Sequence, residues 1–135
     1  MTSNIIYEGE LRTKMTHLLS NTTVLTDAPT DNHGKGEAFS PTDLVATALG
    51  SCMISLMAIK LKLQGRDAEL VGTTAQVTKV MYAEPRRIGE VHVVIKFAPN
   101  QFTDKDKAIL ENVARTCPVA QSLHPDIRQN VSFEW

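Results

Sequence analysis

The sequence predicts an α+β fold, and three observations carry that reading. Val91, Val93, Ile95 and Phe97 alternate with His92, Val94 and Lys96, the period-two pattern of a half-buried strand. Leu44 to Ile59 is mostly apolar and follows a helix-start signature, Ser40-Pro41-Thr42-Asp43. Read in order, the segments run β-β-β-α-β-β-α-α-β, which suits a sandwich of sheets and helices and not a parallel βαβ repeat.

Each element has its own local reason. Ile5 to Leu19 reads as a strand pair turning near Glu8-Gly9-Glu10. Thr22 to Thr26 is rich in β-branched residues and reads as a third strand. Asp27 to Phe39 holds Pro29, Asn32, Gly34 and Gly36, and reads as a long polar loop of the kind that carries function. Ser40 then serves as N-cap, Pro41 fits the first helical position, and Asp43 completes a capping box. The helix is expected to run to Gln64, with Gly65 as terminator. It is apolar on most sides, more than a chain of 135 residues can cover alone, so a partner subunit is expected to supply cover.

Glu69 to Ala83, rich in threonine and valine, reads as the next strand, joined by a hairpin around Pro85 and Gly89 to the alternating one. Thr103 and Asp104 start a second helix running to about Thr116, with Ala108, Ile109, Val113 and Leu110 as its inner face. Pro125 breaks the chain, and Val131 to Trp135 is the closing strand.

Composition narrows the function classes. The 135 residues are 42% hydrophobic and 21% charged, with no repeat, linker or low-complexity tract, so a single domain over 1–135 is expected. Net charge is −1, which gives nucleic acid or an anionic membrane nothing to bind. The first residues lack the basic start and apolar core of a signal peptide, so a cytoplasmic location is expected. The Leu44–Ile59 run is interrupted by Thr47, Ser51 and Ser55, and so suits a core helix better than a bilayer span. Four histidines, His17, His33, His92 and His124, show no metal-ligand spacing, and Gly34-Lys35-Gly36 is too short for a phosphate loop. Neither a metal nor a cofactor is called for.

The two cysteines are the chemistry-bearing residues. Cys52 sits inside the apolar helix, and Cys117 opens Cys117-Pro118-Val119, where Pro118 marks a helix start with Cys117 at its N-cap. In a reducing compartment they are expected to be free or to cycle, the alternative being two small packing residues. Only the thiolate reacts, and an ordinary cysteine is about 3% ionised at pH 7. Burial disfavours the anion at Cys52, which therefore needs a nearby cation. A helix N-terminus favours it at Cys117, so local reasoning makes Cys117 the more acidic of the two.

Phe39-Ser40-Pro41-Thr42-Asp43-Leu44 through Leu49-Gly50-Ser51-Cys52, followed by Cys117-Pro118-Val119, resembles the OsmC/Ohr family of osmotically inducible and organic hydroperoxide resistance proteins. The resemblance covers essentially the whole chain. It implies an intertwined homodimer, with antiparallel sheets packed around long central helices. It also implies a thiol peroxidase without a cofactor, acting on organic hydroperoxides. Cys52 would attack the peroxide and Cys117 would resolve the sulfenic acid as a Cys52–Cys117 disulfide. An external dithiol of lipoyl or thioredoxin type would then reduce the bridge. This reverses the local ranking of the thiols.

An arginine from the N-terminal strands is implied as well, and Arg12 is the only one in the first 65 residues. It would hold the thiolate and orient the peroxide oxygen; the alternative is a solvated strand arginine. One departure stands out. Family members with peroxidase activity carry a glutamate ten residues before the first cysteine, and here that place is Thr42. Asp43, nine residues before Cys52, falls on the opposite helix face at ~100° per residue and is expected to cap the helix. Glu37 in the preceding loop is the candidate substitute partner for Arg12. The departure motivates a second reading: a non-catalytic ligand-binding or redox-sensing protein on the same fold.

Overall fold

In a computed structural model, residues 1–135 are all described, and the chain divides into two compact units, Met1–Val45 and Ala46–Trp135. The first is built on a three-stranded antiparallel sheet of β1 (Ser3–Gly9), β2 (Arg12–His17) and β3 (Thr23–Asp27). Glu10 and Leu11 both hold positive φ, 50° and 63°, the two-residue hairpin geometry whose twist matches that of the strands it joins. That turn makes Arg12 the first residue of β2. Helix α1 (Pro41–Lys62) starts in this unit and ends in the second. Its expected capping box is formed: Asp43 N–H donates to Ser40 Oγ at 3.1 Å, and Ser40 N–H donates to Asp43 Oδ2 at 2.8 Å.

The second unit holds β4 (Thr74–Tyr82), β5 (Arg87–Lys96), α2 (Asp104–Arg115), α3 (Pro118–Ser122) and β6 (Arg128–Glu134). The element order is the expected one. β4 begins later than expected because Asp67–Leu70 forms a 3-10 turn and Gly72 sits at φ +88°, which breaks the strand. The sheet order is β4-β5-β6, and β6 runs parallel to β5, so this sheet is mixed and not purely antiparallel. Two helices separate β5 from β6, and that crossover returns the chain to the same end of the sheet.

The core of this unit forms where α1 meets the sheet. Val91, Val93 and Ile95 of β5 are fully buried, as their alternation requires, and so are Leu49, Met53 and Met57 of α1. Each such side chain contributes roughly 1.5–3 kcal/mol by leaving water. Length and composition would allow α1 to cross a membrane, but its inward stripe, including Leu61, belongs to this core. The helix approaches the sheet closely at Gly50, where a Cβ would stand 2.8 Å from Val77 Cγ2 and 3.5 Å from Ala75 Cβ. On α2 the inner face is Leu110 and Ala114, continued by Cys117, while Ala108, expected inside, is exposed. The residues at i, i+4 and i+7 form the stripe, and position 108 lies off it.

α2 is tied to the end of α1. Thr103 and Asp106 form a capping box, and Asp106 also accepts from Arg66, Nη1 to Oδ1 at 3.0 Å. Arg66 bridges to Glu69 at 2.8 Å as well, and lies over the Phe102 ring.

Two predictions follow from these contacts. Gly50→Leu forces α1 away from β4 and should lower stability by about 1–3 kcal/mol in urea unfolding at unchanged m-value. A wild-type midpoint would show that α1 does not sit this close. The Asp106 carboxyl is lowered from 3.8 to about 2 by the hydrogen bond from Arg66, with Thr103 next. A depressed carboxyl stabilises the fold above its unfolded pKa and loses that contribution as pH falls through the folded one. Asp106→Asn should therefore be less stable than wild type at pH 5 and converge with it between about pH 4 and pH 2, followed by thermal unfolding. A gap as wide at pH 2 as at pH 5 would refute the linkage.

Candidate functional site

Two groups of side chains carry the chemistry singled out above, one in each unit. The thiol pair lies in the second. Cys52 is half-buried on α1, Cys117 is fully buried, and both are free. They sit on separate elements, near enough for Cys52 to act on the acidity of Cys117. Cys117 is the N-cap of α3 as expected, and its Sγ accepts from the Ala120 N–H at 3.5 Å. Its acidity goes the other way from the local expectation. Burial pushes the Cys117 thiol up, outweighing the Ala120 amide, and the neighbouring Cys52 adds to the rise. One turn of helix offers too little dipole and too few amides to offset the loss of water around a sulfur anion.

The guanidinium of Arg12 lies in the first unit. Its Nη2 donates to Glu37 Oε2 at 2.6 Å and to Asp27 Oδ2 at 3.1 Å. Glu37 thus folds back onto Arg12. The loop allows it because residues 34 and 36 are glycine. A Cβ at Gly34 would fall 1.7 Å from the Ala28 carbonyl oxygen, and Gly36 holds φ +65° while its N–H donates to that same oxygen. Asp27 escaped the sequence reading, in which it merely opened the loop. The signal for it was positional: in a β2–β3 ladder, Asp27 stands opposite Arg12. Thr42 and Asp43 belong to the start of α1, where Thr42 Oγ1 lies 3.1 Å from Ser40 Oγ and Asp43 completes the cap. No three or more histidine, cysteine, aspartate or glutamate side chains converge as a metal site would require.

The sequence model of OsmC-like proteins matches residues 34–132. The chain belongs to the OsmC-like protein family. A solved OsmC-family structure from Psychrobacter arcticus 273-4, a candidate osmotic stress induced and detoxification response protein, is 53% identical; the match covers 99% of this chain and 96% of that one, with a TM-score of 0.93. The organic hydroperoxide resistance protein OsmC from Legionella pneumophila shares the fold at 15% identity and TM-score 0.75, covering 100% and 98% of the two chains. OhrB of Bacillus subtilis, an organic hydroperoxide resistance protein, does so at 16% identity and TM-score 0.61, covering 99% and 98%. No curated protein sequence matches the chain.

The burial of Cys117 gives a direct prediction. In the native OsmC-like protein, iodoacetamide at pH 7 should leave Cys117 unlabelled while denatured protein takes up two labels per chain, read by intact mass spectrometry. Rapid native labelling at Cys117 would contradict its burial.

Proposed function

We propose that this OsmC-like protein is a thiol peroxidase for organic hydroperoxides, with Cys52 as the peroxidatic residue and Cys117 as the resolving one. The observation that supports it is the pair of free thiols, on α1 and at the cap of α3, near enough that Cys52 adds to the rise in the Cys117 pKa. Family membership, and relatives described as organic hydroperoxide resistance proteins, point the same way.

The cycle balances without a cofactor. The Cys52 thiolate attacks the terminal oxygen of ROOH; an S–O bond forms, the O–O bond breaks, and the alkoxide takes a proton to leave as ROH. Cys117 then attacks the sulfenic sulfur, the two sulfurs bond, and the hydroxyl leaves with a proton as water. An external dithiol, of lipoyl or thioredoxin type, reduces the disulfide by exchange and leaves as its own disulfide. Arg12 is the proposed cation, stabilising the Cys52 anion and the oxygen under attack. The proposed setting is the cytoplasm, where both cysteines rest as thiols.

The proposed working form is a homodimer. Ile5, Ile6 and Tyr7 of β1 are 59%, 54% and 65% exposed, and Val24 and Leu25 of β3 are exposed too. Consecutive strand residues point to opposite faces, so this sheet shows apolar groups on both. A second copy supplies the cover.

Stopped-flow oxidation with cumene hydroperoxide tests the reading. Wild type should react far faster than free cysteine, and Cys52→Ser should not react. Arg12→Ala should slow the reaction by about 10²-fold or more, while Cys117→Ser should be oxidised normally and accumulate a dimedone-reactive sulfenic acid. A rate no faster than free cysteine, or one indifferent to Cys52→Ser, overturns the proposal and leaves the binding or sensing alternative.

A further inference from the structure

Arg12 has two carboxylate partners, and they are unlike each other. Glu37 makes the shorter bond, and it contributes most to raising the Arg12 pKa, ahead of Asp27. Its side chain is nevertheless 61% exposed and comes from a loop. Exposed ion pairs exchange with water and hold geometry poorly. The Asp27 side chain has no exposure at all and closes a strand. Its Oδ2 accepts twice, from Arg12 Nη2 at 3.1 Å and from the Glu37 backbone N–H at 3.0 Å. Its Oδ1 is buried with no hydrogen-bond partner.

That unpartnered oxygen is informative. Burial takes water from the charge there, and the hydrogen bonds to the carboxylate more than offset that loss. The Glu37 amide, more than Arg12, keeps it ionised, below the usual carboxylate range. The aspartate is also fixed by the backbone on either side. Asp27 N–H donates to the Phe39 carbonyl at 3.1 Å, and Ala28 N–H to the Leu11 carbonyl at 3.3 Å. Those bonds lock the end of β3 to the returning loop and to the residue just before Arg12. Asp27 is held by the fold, and Arg12 is held by Asp27.

We propose that Asp27 is the positioning residue for Arg12: the buried carboxylate fixes the guanidinium in one orientation, while Glu37 is the exchangeable partner. The catalytic consequence rests on the peroxidase reading above; the anchoring does not. Two measurements on the full-length protein separate them. The first is the NMR signals of the Arg12 guanidinium in 15N-arginine-labelled protein, assigned with Arg12→Lys, which report how freely the group rotates. The second is the rate of Cys52 oxidation by cumene hydroperoxide.

Wild type and Glu37→Gln should show a slowly rotating Arg12 group, and Asp27→Asn a freely rotating one. The oxidation rate should fall by about 10- to 100-fold in Asp27→Asn and by much less in Glu37→Gln. Asp27→Glu, which keeps the charge but displaces it by one methylene, should recover part of the loss; it also serves as the probe if Asp27→Asn does not fold. Arg12 signals unchanged in Asp27→Asn, or a larger loss of order in Glu37→Gln, overturn the proposal. Wild-type protein that oxidises no faster than free cysteine sinks the peroxidase reading alone, and the guanidinium signals still decide the anchor.

Discussion

The thiol pair depends on how closely α1 lies on its sheet. At Gly50 the helix backbone lies so close to β4 that even a Cβ would press on Val77, with Ala75 already at contact distance. That approach sets the depth at which Leu49, Met53 and Met57 enter the core. It sets the position of Cys52 too, two residues on, half-buried at the side of the helix. The second sulfur arrives from the other direction, on the stripe Leu110, Ala114, Cys117 that buries α2 and caps α3. Neither cysteine chooses its place: each is carried there by apolar residues that must leave water.

Burial also divides labour between the sulfurs in the proposed cycle. A fully buried thiol whose acidity is suppressed by desolvation is a poor attacker of peroxide, and it is shielded from overoxidation. Its nucleophilicity is required only after the neighbouring sulfur carries oxygen, and then the reaction is intramolecular. Proximity offsets low thiolate content at that step. Raised acidity at Cys117 would gain little for resolution and would add a competing site of oxidation.

What could be read from the sequence was what is local. The Ser40–Asp43 start is written in residues three apart, the start of α2 in the adjacent Thr103 and Asp104, and the β5 alternation in residues two apart. Cys117 at a helix N-cap follows from Pro118 alone. The misses are non-local. The parallel pairing of β6 depends on where two helices return the chain, not on the residues of β6. The inner face of α2 was off because the stripe is chosen by what it packs against. Asp27 was passed over because its neighbours in sequence are turn formers, whereas its partners stand 15 and 10 residues away, across a ladder and over a loop. The acidity of Cys117 was misjudged for the same reason: a helix start is visible in a few residues, and burial is not.

The first sheet ties assembly to chemistry. Its three strands expose apolar side chains on both faces, which gain stability when something covers them. Asp27 and Arg12 are opposite residues in that sheet, and the loop that brings Glu37 back is fastened to its last strand. If Asp27 anchors Arg12 as proposed, the precision of the guanidinium is inherited from the ladder, and the ladder's persistence from the proposed cover. In the proposed homodimer a second copy does more than bury greasy surface. On the proposed reading, such cover would also steady β2 against β3 and with them the guanidinium, which would tie oligomer formation to thiol activation.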